Sequence, residues 1–289
     1  MKRSRSQPWI WLLPSFFLLI LVGIVPFFIL LYLSFSDYFL LYPDIPRVFV
    51  GLKNFRTLVF DPWTYNALAT TFTFVIVAVA FEMAIGLGLA LLFSKPFKGI
   101  TLLRTIMLIP LVIAPLVTGL IWNQMLNPDF GIITYLLHSL GLFLNSGPTI
   151  DPSTALLSIV AVDIWHWTPF VMLIILSGIL ALPKEPFEAA KIDGASRWQT
   201  FRNITLPLMR YPIMVAFLLR FMEAFKIFDE IWVITGGGPG DATRVVSIHT
   251  YKIAFYRWDL GYGSAIALFL EYITIILCSA FYKILQKSE

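Results

Sequence analysis

Leu182–Pro212 reads LPKEPFEAAKIDGASRWQTFRNITLPLMRYP, a long polar stretch between two apolar blocks. Its residues spell helix, sharp break, helix, stop. Pro186 suits a first helical turn, Glu188–Ile192 is good helix material, Gly194 permits a positive φ, and Pro207 ends the second piece. The expectation is two short helices at an angle over 183–209, lying just beneath a membrane.

The membrane is implied by what surrounds this stretch. Of 289 residues, 58% are hydrophobic and 13% charged, against roughly 25% charged in soluble domains. A bilayer core needs about 20 consecutive apolar residues per helix, and six blocks of that kind can be read: about Trp9–Leu33, Leu68–Phe93, Ile106–Leu126, Ala155–Leu182, Tyr211–Ile234 and Gly263–Leu285. Backbone polar groups cannot stay unpaired in lipid, so such blocks predict an all-α membrane protein of six transmembrane helices. The short alternating segments of a barrel are absent from the sequence. The whole chain, 1–289, reads as a single membrane domain.

Orientation follows the basic residues. Lys2, Arg3, Arg5, Lys95, Lys98, Arg104, Lys184, Lys191, Arg197, Arg202, Arg210, Lys283 and Lys287 fall in the tails and even-numbered loops; Arg47, Lys53, Arg56, Arg244, Lys252 and Arg257 fall in the odd ones. Both termini are expected in the cytoplasm. The net charge of +4 reflects this bias, and without a basic stripe carrying interleaved aromatics nucleic acid is not expected as a partner. The opening MKRSRSQPWIWLLPS resembles a signal peptide in charge, but its apolar run is too long and lacks a small-residue cleavage site, which favours a retained signal-anchor helix. The only cysteine, Cys278, lies inside the sixth block and reads as a small apolar residue.

Two outer segments are too short or too broken to span. The first, about Ser34–Asn66, is interrupted by Pro43 and Pro46 and should form a short surface helix and loop; the second, about Asn127–Thr154, contains the amphipathic ITYLLHSLGLFL.

The polar stretch resembles the cytoplasmic coupling motif of permease subunits in binding-protein-dependent ABC importers. Glu188, Ala189 and Ala190 are followed after two residues by Asp193, Gly194 and Ala195, and after eight more by Ile204, with Leu206 and Pro207 beyond a spacer. GLKNF at Gly51–Phe55 and ITGGGPGDAT at Ile234–Thr243 look like the external segments of the sugar-type branch, which holds maltose-type and glycerol-phosphate-type permeases. The resemblance implies a multi-pass protein of the bacterial inner membrane with several partners: a second permease subunit, an ATPase dimer and an extracytoplasmic substrate-binding protein. ATP and Mg would be held by the ATPase, with no cofactor in this chain. In such importers the loop enters a cleft on the ATPase; small Ala189 and Ala190 would let the helix seat closely, Glu188 would offer a carboxylate, and Gly194 would set the turn.

Charge inside the apolar blocks points to a pathway. The fifth block carries Arg220, Glu223, Lys226, Asp229 and Glu230, spaced so that Arg220–Glu223, Glu223–Lys226 and Lys226–Glu230 could form a ladder along one helix. Arg220 and Glu223 fall near mid-membrane, where they serve either solute contact or interhelical pairing; Asp229 and Glu230 approach the outer surface. In the fourth block Asp163, His166, Trp167 and Phe170 share one helical face that combines ring surfaces with hydrogen-bonding groups, as sugar binding requires. The resemblance adds that maltose-type permeases hold sugar between these two helices. Otherwise Trp165 and Trp167 are interfacial aromatics and His166 a satisfied core histidine. Glu82 and Glu271 are further intramembrane acids with no readable partner, and Gly86 and Gly88 should permit close helix packing.

No G-x-x-x-x-G-K-[ST] or H-E-x-x-H occurs, which argues against an ATPase or a zinc protease, and Gly236–Gly240 precedes an aspartate rather than a lysine. The alternatives are an importer permease for amino acids or peptides, and an ion-coupled secondary transporter, for which the expected repeats and half-helices are not visible.

Overall fold

The computed structural model describes residues 7–41, 44, 46–143 and 147–286. Lys2, Arg3, Arg5, Pro43 and Lys287 lie outside the described residues. Among those described, four helices are long and apolar enough to cross a membrane: Leu12–Ser34, Pro62–Phe93, Ala155–Leu180 and Leu260–Lys283. They correspond to the first, second, fourth and sixth blocks. The second begins earlier than its hydropathy suggests because Pro62, which needs no helical N–H partner, opens it.

The third and fifth blocks are not single straight rods. The third divides into Ile100–Met107, Ile109–Val112 and Pro115–Met125, with Ile113 and Ala114 extended between the last two. Pro115 explains the second break: it forces the residue before it out of helical geometry and then starts the next helix. The fifth runs as Arg210–Phe225 and Asp229–Ile234 with Lys226–Phe228 out of helix between them.

The chain divides into two compact units. One comprises residues 1–65 and 249–273. Here a two-residue antiparallel ladder, Ser36–Asp37 with Val48–Phe49, adds strand where an all-helical chain was expected. The GLKNF stretch closes it: Gly51 takes φ +56°, and buried Asn54 donates through Nδ2 to the carbonyls of Ser34 and Ser36 at 3.0 and 2.9 Å. The expected surface helix is Lys53–Phe60. Next to it Asp61 accepts from Thr64 Oγ1 and Tyr262 Oη, each at 2.8 Å. Partial burial pushes the Asp61 carboxyl up, but these bonds and the Trp63 N–H together hold it below the usual carboxylate range.

The other unit, residues 66–248 and 274–289, holds the helical core. Ala90 and Phe93 meet Val171, Met172, Ile175 and Leu176, with Met209 and Ala216 closing the cluster. Glycines set the approach at two crossings. A Cβ on Gly86 would lie 2.7 Å from Val171 Cγ1, and one on Gly178 would lie 2.6 Å from the Pro212 ring. Gly88 differs from expectation, since nothing stands within 4 Å of where its Cβ would be. It faces outward while Gly86, two residues away, faces in.

Candidate functional site

The polar stretch folds as two helices and a sharp turn. The first is Glu185–Ile192, with Pro186 in its opening turn. Asp193 ends it and Gly194 follows at φ +70°, with open space around its Cα. Ser196 then caps the next helix reciprocally: its side chain accepts from Gln199 N while Gln199 Oε1 accepts from Ser196 N at 2.7 Å. One departure concerns Pro207, which does not stop the second piece. The chain widens into a π-turn over Phe201–Thr205 and passes Pro207 at the start of Leu206–Leu208. A widened turn tolerates the missing proline N–H, and the bend comes two residues later, where Arg197–Leu208 meets Arg210–Phe225 at 64°.

On this segment Ala190 is buried against the protein, whereas Glu188, Ala189, Asp193 and Gly194 are exposed and Ala195 half-buried. Ile204 is half-buried and Leu206 and Pro207 are exposed. Ile192, which sequence reasoning passed over, is 87% exposed, and Trp198 is 67% exposed. Together they give the segment exposed apolar surface beside its charged residues.

The charged residues of the apolar blocks assemble differently from the ladder along one helix. Arg220 makes a two-point contact with Glu82, Nε to Oε2 at 2.6 Å and Nη2 to Oε1 at 2.9 Å, and Nη2 also bonds Asp163 Oδ2. All three side chains are buried, so the second, fourth and fifth blocks meet at one guanidinium. Trp167 covers it, with the Arg220 Cζ 4.9 Å from the ring centroid, and Phe170 meets Trp167 edge-on. Glu82, which offered no partner in the sequence, is thus the principal one, and only tertiary structure could show it.

His166 is the second junction. Its Nδ1 lies 3.0 Å from Glu230 Oε1 and its Nε2 3.0 Å from the Ile113 carbonyl. That carbonyl sits at the break in the third block, so His166 satisfies backbone that the interrupted helix cannot. Asn123 Nδ2 adds a bond to the Val233 carbonyl at 2.6 Å, and Gly119 lets Pro115–Met125 pack against Asp229–Ile234. Asp163, His166 and Arg220 are therefore interhelical links, Trp167 and Phe170 are half-buried, and Glu223 stands exposed, apart from Arg220.

Comparison with known proteins agrees with this architecture. The family model described as "Binding-protein-dependent transport system inner membrane component" matches residues 48–288. A probable ABC transporter permease protein of Pyrococcus horikoshii is 36% identical, covering 96% of this chain and 95% of its own. The trehalose/maltose transport system permease protein of Thermococcus litoralis is 35% identical over 81% of this chain and 78% of its own. Among solved structures, a bacterial ABC transporter involved in import of the acidic polysaccharide alginate superposes with a TM-score of 0.83 at 20% identity, covering 98% of this chain and 96% of the other. By the family match over residues 48–288, the chain belongs to the binding-protein-dependent transport system inner membrane component family.

Proposed function

We propose that this protein is the membrane-spanning permease of an ATP-driven importer that takes a sugar or related polyhydroxylated solute from a substrate-binding protein. The observation that carries the reading is the exposed two-helix segment, with Glu188, Ala189 and Ile192 presented beside a Gly194 turn, in a chain whose relatives include permeases named for trehalose/maltose and for starch degradation products. The segment docks on an ATPase dimer that holds ATP and Mg; this chain needs no cofactor of its own. It acts as a single domain, 1–289, of six transmembrane helices with both termini in the cytoplasm of a bacterial cell, the third and fifth helices being broken spans. A second permease subunit completes the pathway.

Exposure along Arg210–Phe225 supports a wet path at the face turned away from this chain's own core. Val215, Leu219 and Glu223 recur at helical spacing and are exposed, and Lys226, just past the helix end, is exposed too. Glu223 and Lys226 cannot face hydrocarbon at low cost, so they border the solute path or the second permease. Half-buried Trp167 and Phe170 offer ring faces to a solute, while the Arg220, Asp163 and His166 links frame that wall.

Reconstitution of this chain with its neighbouring permease, ATPase and binding protein tests the reading. ATP-dependent uptake of labelled trehalose or maltose is expected, together with negligible ATP turnover by the permease alone. Uptake confined to amino acids or peptides, or driven by an ion gradient without ATP, rejects it.

A further inference from the structure

Between the end of the third block and the glycine-rich ITGGGPGDAT loop lies a cavity of about 330 Å³ that the coupling and pathway readings leave unused. Its wall includes Asn123, Asn127, Pro128, Thr149, Thr235 and Pro239 and, among the described residues, no charged side chain. The hydrogen-bonding capacity of the two amides is divided in a specific way. Asn123 donates one Nδ2 hydrogen to the Val233 carbonyl, which leaves its Oδ1 as an acceptor and its second N–H as a donor. Asn127 spends its Oδ1 on the N–H groups of Asp129 and Phe130, at 2.9 and 3.4 Å, which leaves its NH₂ as a donor. Thr149 adds a hydroxyl that can do either.

A wall with acceptor, donor and hydroxyl but no charge suits a ligand whose own groups both donate and accept. Sugar hydroxyls do so, whereas an ammonium, carboxylate or phosphate would lose its hydration with no counter-ion to replace it. Pro128 and Pro239 contribute flat C–H surface of the kind a pyranose face packs on. The wall is also held in place. Thr243 Oγ1 bonds Thr235 Oγ1 and the Gly238 carbonyl, each at 2.7 Å, and a Cβ on Gly131 would lie 2.4 Å from the Asn127 carbonyl. The volume falls at the lower end of the range for small-molecule sites, about 300–1,000 Å³.

We propose that this cavity is an outer subsite for one neutral sugar ring, entered before the solute reaches the membrane-embedded path. The proposal rests on the sugar-importer reading, and the test separates the two. Thr149 takes no part in the Asn123 or Asn127 bonds, and Thr149→Trp puts a large side chain into the cavity. In the reconstituted importer, with maltotriose or the sugar its own binding protein carries, this variant is expected to lower uptake by about tenfold while binding-protein-stimulated ATP hydrolysis persists. In parallel, Thr149→Cys in a Cys278→Ser background is labelled with an impermeant maleimide in the assembled importer. Maltotriose at twice its dissociation constant should slow labelling by about threefold through occupancy. Normal sugar uptake by the assembled Trp variant overturns the proposal and leaves the importer reading standing. Should the Trp variant fail to assemble, labelling decides: protection by maltotriose supports the subsite and unprotected labelling overturns it. An importer that moves no sugar at all overturns both.

Discussion

Arg220 and Glu82 are 138 residues apart in sequence, yet the guanidinium Nε lies 2.6 Å from the carboxylate Oε2, with both side chains buried. Asp163 shares the same guanidinium, so the link fastens three apolar blocks. Losing one member of a buried pair costs about 3–5 kcal/mol because it strands charge. Arg220→Met leaves two carboxylates facing each other and should sharply reduce folded protein. Arg220→Lys, which keeps the charge but not the forked geometry, should fall between it and the wild type. Thermal unfolding in detergent, followed by size-exclusion chromatography, gives the order; equal stability of all three would remove the link's structural role.

Gly194 at φ +70° has room for a side chain but not the backbone freedom. Gly194→Val should cost about 1–2 kcal/mol of local strain and alter the angle at which the first helix is presented. Glu188→Leu and Ile192→Ser change exposed atoms only. All three variants should insert into membranes at normal levels and lose uptake, and Ile192→Ser should retain less ATPase subunit on co-purification. Normal uptake at normal subunit levels in all three would show that the segment does not couple.

Gly86 and Gly88 provide an internal control, since they share a helix and differ in what stands opposite. Gly86→Leu forces a side chain into Val171 and should lose about 1–3 kcal/mol by overpacking. Gly88→Leu meets open space and should gain slightly in helix propensity. A lower unfolding midpoint for the first alone is the expected result.

Asp61 ties the start of the second apolar helix to Tyr262 and Thr64. Its carboxyl is held below the ordinary value, so its stabilising contribution is complete above the unfolded-state pKa and is lost as pH falls through the lower, folded-state one. Unfolding midpoints measured downward from neutral pH should therefore decline in the acid range. Asp61→Asn should start lower and show a shallower decline; identical pH profiles would assign the decline to other groups.

Local chemistry was the legible part of this protein. Pro186 and Gly194 act through their immediate neighbours, so the two-helix segment could be read from local chemistry, although the reciprocal Ser196/Gln199 cap emerged only in the structure. Hydropathy located the apolar blocks for the same reason, but it averages over a window and passed across the breaks at Ile113 and Lys226. Pairing was the illegible part. The ladder placed Arg220 with Glu223 because they are three residues apart, whereas the fold turns Arg220 toward Glu82 and leaves Glu223 exposed. Side chains on one helix compete with partners on every helix packed against it, and a single sequence carries no record of which wins.

The 64° bend between Arg197–Leu208 and Arg210–Phe225 makes the pair a bell crank. One arm carries the exposed Trp198 and the other carries Arg220. The elbow at Met209 is buried, so under the proposed coupling a thrust along the first arm would emerge as torque on the second. The second arm is tied to the neighbouring blocks both by the Arg220 bonds to Glu82 and Asp163 and by the apolar packing of Met209 and Ala216. Under that coupling the bend would set the mechanical advantage between a displacement of the polar segment and the tilt of Arg210–Phe225.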